Sequence, residues 1–360
     1  MQLDRLWLTD FRNYVSADLV PAPDGLTVIT GGNGEGKTNL LEAIGYLATL
    51  RSFRGAPGEA MIRVGAERAI VRGEARRAER TLLLEAELRP TGRDRVQVNR
   101  QPLRRTRDLL GAVQVTVFGP DDLALVKAGP QGRRDYLDDL LAALRLRHDA
   151  LRTEVERILR QRNALLKQGA GNPRPPADVV STLDVWDQKL AETGTELADA
   201  RAELVAALDP QVAAVYDRVA ERVADVATRY QRSWHGPLAA ALASSRVEDL
   251  RRGVTTVGPH RDDLVITLGG LPSRTHASQG EQRSLALALR LAGHQVVTDA
   301  IGSAPVFLLD DVFSELDPDR AEALFASLPA GQALLTTVGN IPVHARPDLV
   351  LRVDGGKLLP

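Results

Sequence analysis

With 360 residues, 44% hydrophobic and 26% charged, the chain has ordinary globular composition and room for two domains or one domain with a large insertion. The absence of cysteine excludes a disulfide framework, thiolate-bound zinc and thiol catalysis, and the six histidines show no metal-ligand spacing. No apolar run is long enough to span a membrane, the N-terminus lacks a signal-peptide core so that a cytoplasmic location is expected, and a net charge of −1 makes no case by itself for a polyanionic partner.

The first strand-like piece, Leu3 to Leu8, leads through Phe11-Arg12-Asn13-Tyr14 to the apolar run Leu26-Thr27-Val28-Ile29-Thr30. Next comes Gly31-Gly32-Asn33-Gly34-Glu35-Gly36-Lys37-Thr38, which fits the phosphate-loop pattern G-x-x-x-x-G-K-[ST]. A helical pattern with Leu40, Leu41, Ala43, Ile44 and Leu47 follows. Strand, glycine loop and helix therefore stand in the order a phosphate cradle needs. Glycines let backbone N–H groups curl around a phosphate, and the helix N-terminus supplies partial positive charge. Lys37 is expected to reach the β/γ oxygens, and Thr38 to place its hydroxyl on Mg²⁺.

Strands are expected at Ala69 to Glu74, Thr81 to Leu88 and Arg95 to Asn99, the last two joined by Pro90-Thr91-Gly92-Arg93, forming an antiparallel layer appended to the phosphate-loop core. Residues 51–107 hold fifteen Arg against seven acidic residues, a local excess of +8. The whole chain has 41 Arg and 5 Lys, so composition accounts for Arg over Lys, but not for the local excess over Asp and Glu. Such a layer suits a nucleic-acid face, with Arg51, Arg54, Arg72, Arg76, Arg104 and Arg105 as candidate contacts.

After a strand at Val113 to Phe118 and Gly119-Pro120, helix takes over. One stripe runs Leu137, Leu141, Leu144, Leu151, Val155, Ile158 and Leu165, shared with His148 and Arg162. A second runs Leu183, Trp186, Leu190, Leu197, Leu204 and Leu208, beyond a helix-breaking connection from Gly169 to Pro176. An antiparallel helical hairpin with arms of about 30 residues, about 45 Å long at 1.5 Å per residue, and a compact helical subdomain fit these stripes equally. His148 reads as a tolerated or partly exposed position. Helical periodicity continues to Val223 and fades before Ser233, and β character returns near Gly253. An inserted arm over 119–253 is thus expected within a nucleotide head made of 1–118 and 254–360.

Ser278-Gln279-Gly280-Glu281-Gln282 precedes a long apolar-periodic helix, with Ser278 placed to cap it. The run Pro305 to Leu309 then ends in Asp310-Asp311. An Asp closing a buried strand beside a phosphate loop is the expected Mg²⁺ ligand, and Asp311 is placed to orient an attacking water.

Together these features resemble an ABC-type ATPase, and the long helical interval between Lys37 and Ser278 resembles the head of an SMC-like DNA-maintenance ATPase. Phe11-Arg12-Asn13-Tyr14, Gly119-Pro120-Asp121-Asp122-Leu123, Gly129-Pro130 with Arg133-Arg134, Gly258-Pro259-His260-Arg261-Asp262-Asp263, and Leu309 to Asp317 are similar to the RecF family of bacterial recombination mediators, nearly end to end. The resemblance implies an α/β ABC-type head with an antiparallel β layer and an inserted helical, coiled-coil-like arm. It implies ATP and Mg²⁺ as cofactors, held by Arg12, Gly31, Asn33, Gly34, Glu35, Gly36, Lys37, Thr38, Asn39, Gln282 and Asp317, with Thr38 and Asp310 on the metal. It also implies a head-to-tail homodimer in which Ser278 and Gly280 of one subunit cap the ATP of the other, with Asp311, Lys37, Ser278 and Thr337 in catalysis. Duplex, gapped and junction DNA, RecR and RecO are the implied partners.

Two departures stand out. Asp311 occupies a position where many ABC ATPases have Glu, and Thr337 stands where a switch histidine often does. No glutamine is identified as the Mg²⁺ sensor, and the lack of a C-x-x-C motif excludes a zinc hook. A transporter-energising ATPase is disfavoured by the helical insertion, and a fused nuclease by the scattered acids after Asp319.

Overall fold

The computed structural model describes residues 1–77, 80–92, 94–104, 106–170, 176–220, 223–314, 318–339, 341 and 345–359. The chain divides into two compact units: 1–123, 214–223 and 279–360 form the first, and 124–213 with 224–278 the second.

In the first unit the apolar run before the glycine loop is β3 (Gly25–Thr30), whose four middle residues are all buried, as a central parallel strand requires. Parallel neighbours are β13 (Gln332–Thr337) on one side and β14 (Leu349–Asp354) on the other. Beyond β13 lie β12 (Val306–Asp310) and then β8 (Val115–Phe118), also parallel, while β15 (Lys357–Leu359) flanks β14 antiparallel. The parallel strands therefore bring the residues that follow β3, β12, β13 and β8 to one edge of the sheet, the usual ligand edge of such sheets.

The expected antiparallel layer is present, in the order β2 (Tyr14–Leu19), β1 (Gln2–Phe11), β4 (Ala69–Arg77), β5 (Arg80–Leu88), β6 (Arg95–Val98), β7 (Gln101–Pro102). Helix α1 (Lys37–Thr49) packs against strands of both sheets, which explains why Leu40, Leu41, Ala43, Ile44 and Leu47 are all buried. Each large apolar side chain buried this way contributes roughly 1.5–3 kcal/mol. Close approach to β4 depends on Gly73, where a Cβ would stand 2.7 Å from Leu47 Cδ1. Helix α8 (Gln279–Ile301) covers β8, with His294 Nδ1 3.0 Å from Thr116 Oγ1 and its ring edge-on to Phe307 at 5.2 Å. The short α9 (Pro318–Ala326) follows β12.

The second unit is the compact helical arrangement rather than a two-helix hairpin. Arg145 has extended backbone, φ −152° and ψ 122°, and divides the first stripe into α3 (Pro130–Leu144) and α4 (Leu146–Gly169). The second stripe lies on α5 (Ala177–Val219), and α6 (Leu238–Arg252) packs against α4. Short helices α2 (Ala124–Lys127) and α7 (Ser273–His276) complete the helical part. A small antiparallel sheet runs β11 (Leu271–Pro272), β10 (Asp263–Leu268), β9 (Val226–Gln231); β10 is the strand expected at Leu264 to Leu268 where β character returns, and its partners β9 and β11 were not expected. The helix stops at Val219, Val223 is 90% exposed, and β9 begins three residues on, so the valine spacing extended the helical reading too far. Residues 254–278, expected with the head, lie in the second unit because β10 pairs with β9.

The polar members of the first stripe have partners. His148 is buried, not partly exposed, with Nδ1 3.0 Å from the Leu141 carbonyl. Arg162 is fully buried and donates to Asp187 Oδ1 (2.6 Å), Asp249 Oδ2 (2.7 Å) and Thr255 Oγ1 (2.8 Å), tying α4 to α5 and α6. The segment Gly258 to Asp263 is a second such hub. Arg133 bonds Asp263 (2.7 and 2.9 Å), and Arg134 the Asp262 carbonyl (2.8 Å). Arg201 bonds Asp138 (2.7 and 2.8 Å) and the Pro259 carbonyl (2.8 Å).

Candidate functional site

The glycine loop connects β3 to α1 as its composition requires. Gly36 has φ 118°, and a Cβ there would stand 2.6 Å from Asn13 Nδ2 and 2.9 Å from the Tyr14 hydroxyl. Those two residues shape the loop from behind: Asn13 Nδ2 donates to the Glu35 carbonyl (2.7 Å), and the Tyr14 hydroxyl to that of Gly36 (3.1 Å). Burial raises the Tyr14 pKa, keeping the phenol a neutral donor. Asn39 Nδ2 donates to Asn13 Oδ1 (2.8 Å), and Gly355 N donates to the Glu35 carboxylate. The Lys37 ammonium lies over the loop, bonded to the Gly31 (2.9 Å) and Gly32 (2.7 Å) carbonyls. Asn33 and Gly34 are exposed on the same loop.

Across the sheet edge, Asp310 ends β12 and is buried. Its Oδ1 accepts hydrogen bonds from Thr38 Oγ1 (2.7 Å) and Thr336 Oγ1 (2.8 Å). Asp311 follows with φ 44° and donates its N–H to the Thr336 carbonyl (3.2 Å) and Oγ1 (3.0 Å). Thr337 is the register partner of Thr30, next to Gly31, and its hydroxyl accepts from Gly339 N (3.3 Å). Lys37, Thr38, Asp310, Asp311 and Thr337 thus share one edge.

These residues suit ATP and Mg²⁺. The glycine cradle has no room for a Cβ at Gly36, and the ammonium stands over the loop's own carbonyls. Hydroxyl and carboxylate are the hard oxygen ligands a magnesium ion takes. The described residues contain no cluster of three or more His, Cys, Asp and Glu, so the ion would depend on Thr38, Asp310 and phosphate oxygens.

Other expected members stand elsewhere. Arg12 is committed to Glu42, a fully buried carboxylate one turn beyond Thr38, through Nε (2.7 Å) and NH2 (2.6 Å), and to the Ala60 carbonyl (2.7 Å). Arg54 lies 3.9 Å from the same carboxylate and bonds Asn39 Oδ1 at 3.3 Å. Ser278 is exposed immediately before α8, while Gly280 and buried Gln282 occupy its first turn. Asp317 and Arg105 lie outside the described residues, as do Arg93, 171–175 and the rest of 315–317.

The basic layer is less basic than its composition. Arg72 pairs with Glu85 (2.7 Å) and Arg76 with Asp4 (2.5 Å), neutralising two expected DNA contacts; Arg51 and Arg104 are exposed. Sequence reasoning missed Thr336 and Glu42, and it noted the loop after β8 only as a family-like string, without a place at the site. At Gly119 a Cβ would lie 3.4 Å from that of Asp310, so this loop borders the carboxylate. It offers Asp122, which accepts from Gly119 N (2.9 Å) and Arg290 Nε (2.9 Å), and no glutamine. Gln114 precedes the other end of β8.

Residues 2–338 match the family model described as RecF/RecN/SMC N terminal domain. The chain is 45% identical over 349 residues to the DNA replication and repair protein RecF of Streptomyces avermitilis, covering 94% of this chain and 93% of that protein. It is 44% identical over 362 residues to the Frankia alni protein of that name, covering 96% and 95%. Among solved structures it is similar to the recombination mediator protein RecF with ATP, in the RecFOR pathway, with a TM-score of 0.90, 29% identity and coverage of 99% and 97%. An SMC head bound to a winged-helix domain of ScpA, at TM-score 0.60, 17% identity and coverage of 100% and 97%, shares the fold.

Proposed function

The chain belongs to the RecF family, an ABC-type ATPase family of DNA replication and repair proteins, and on that premise we propose that it is an ATP-gated clamp on DNA. The observation that carries this reading is the hydroxyl of Thr38 on the carboxylate of Asp310, with Lys37 beside them. The first unit is the ATPase head and the second the inserted arm. Bound Mg²⁺ would neutralise charge on the phosphate oxygens. Thr38 and Asp310 would hold that ion, the loop N–H groups and Lys37 would bind the phosphates, and Asp311 would orient water.

The glycine loop encloses a phosphate from one side only. Exposed Ser278, at the start of a 23-residue helix, offers a second anion-binding end, and Ser278 with Gly280 of a second copy caps the γ-phosphate. The homodimer is therefore head-to-tail and ATP-dependent. Asp311 is one methylene shorter than Glu, which slows hydrolysis and gives the closed state a long life. Duplex DNA near gaps and junctions is the ligand, and RecR and RecO are the partners in loading a recombinase. Among the described residues no helix is long and apolar enough to cross a membrane.

Sedimentation with and without ATP tests the clamp. Wild type is expected to dimerise with ATP, while Lys37→Met and Ser278→Arg remain monomeric. Normal dimerisation of Ser278→Arg would overturn capping across the dimer.

A further inference from the structure

The arginines within the antiparallel sheet are mostly neutralised in place: Arg72 by Glu85, Arg76 by Asp4, Arg89 by Glu87, and Arg63 by Asp10 at the sheet's margin. One end of the sheet differs. Arg77 and Arg80 are direct register partners on the last rung of the β4–β5 hairpin, both exposed, with no ion pair among the described residues. Like charges facing each other across an antiparallel pair are destabilising. The buried alternation of Val71, Gly73 and Ala75 against Leu84 and Ala86 pins the register, so neither arginine escapes by slipping.

A third cation joins them from the next hairpin. Asn99 and Arg100 form the turn between β6 and β7, at φ 50° and 64°. Asn99 is tied to β5 by its N–H to the Leu83 carbonyl (2.7 Å) and by Leu83 N to its Oδ1 (2.9 Å), three residues from Arg80. Arg100 is exposed, with no ion pair among the described residues, in a backbone conformation that a bulky side chain seldom adopts. Even counting Glu79, which lies outside the described residues, this end keeps an excess of positive charge.

We propose that Arg77, Arg80 and Arg100 form the patch that contacts the phosphate backbone of nucleic acid. The assignment rests on the DNA-clamp reading and says where on the head the DNA lies. A polyanion removes the Arg77–Arg80 repulsion, which no ion pair among the described residues compensates. Nucleic acid is favoured over an acidic protein because none of the large exposed apolar side chains among the described residues belongs to the β4–β5 or β6–β7 hairpin that carries these arginines. Protein interfaces are built around an apolar centre, whereas phosphate contacts need only cations and donors.

The test is duplex-DNA affinity as a function of salt, with ATP present, for wild type, for Arg77→Gln/Arg80→Gln/Arg100→Gln, and for the paired-arginine control Arg72→Gln/Arg76→Gln. The triple variant is expected to lose about tenfold or more in affinity, with its log–log salt slope smaller by about 2–3 at roughly 0.9 per phosphate contact. The control keeps the wild-type slope. Without DNA the triple variant should melt at or above the wild-type temperature, because a repulsion is gone, which separates lost contact from lost fold. An unchanged slope in the triple variant, or an equal loss in the control, overturns this patch while leaving the clamp standing. Wild type that binds no duplex overturns both, and a triple variant that loses only a protein partner overturns the choice of nucleic acid.

Discussion

Thr38 on α1 donates its hydroxyl hydrogen to Asp310 Oδ1 at the end of β12 over 2.7 Å, joining two segments 272 residues apart. Thr336 donates to the same oxygen from β13 at 2.8 Å, so Asp310 is held from two sides before any ion arrives. Positioning of this kind lets a site bind without reorganising.

Replacing Thr38 by Val keeps the shape and removes the hydroxyl. ATP hydrolysis is expected to fall about 100-fold or more, while nucleotide binding in chelator falls far less, since Lys37 and the loop N–H groups remain. Steady-state hydrolysis beside equilibrium binding, each with and without Mg²⁺, checks this. Equal losses in both would place Thr38 in binding rather than in metal positioning.

Asp311 has φ 44°, in the left-handed region that asparagine also tolerates. Asp311→Asn should therefore fold normally, hydrolyse ATP at least about tenfold more slowly and lengthen the life of the ATP-bound dimer. Phosphate release and dimer lifetime can be followed on one sample. Asp311→Val tests the backbone instead: a β-branched residue there costs about 1–2 kcal/mol in melting stability.

The Arg162 hub predicts a large structural effect within the second unit. Asp249→Ala leaves a buried guanidinium without one of its carboxylates and is expected to destabilise by about 3–5 kcal/mol in chemical denaturation. Glu154→Ala, which breaks the exposed Arg157 pair, should change stability by less than about 1 kcal/mol. Similar values for the two would show that Arg162 is not the fastening point its burial indicates.

Two histidines set the acid limit. Burial lowers the pKa of both His294 and His260 to about 4, with Arg261, Arg134 and Arg162 adding to the effect at His260. The unfolded chain, with histidine near 6.5, binds protons that the folded chain refuses. Stability is therefore full above about pH 6.5 and falls as the pH drops toward 4, by up to roughly 3 kcal/mol for each histidine. Melting temperature from pH 7.5 to 4.5 should show this slope, and His294→Gln should flatten part of it. Parallel curves for wild type and variant would exclude His294 as a contributor.

The phosphate loop was legible because its chemistry is local. Glycines at fixed intervals, a buried strand before them and a helix after them leave one backbone path, and Lys37 and Thr38 follow at set positions along it. Asp310-Asp311 was legible for the same reason, as charge ending an apolar strand. The charge of residues 51–107 was legible only as a sum. Whether each arginine is free depends on cross-strand register, and register brought Glu85 and Asp4 to the arginines expected on DNA while setting Arg77 against Arg80.

By itself, then, the sequence determined the nucleotide chemistry, because contiguous residues specify that loop, and the existence of a helical insertion, because its period is written along the chain. Tertiary structure alone decided what is non-local. It assigned Thr336 to Asp310, gave Arg12 to Glu42, broke the first stripe at Arg145 and placed β9 beside β10. Each of these depends on pairings between distant segments, chosen where buried charge and unsatisfied backbone find partners, and no local pattern encodes that choice.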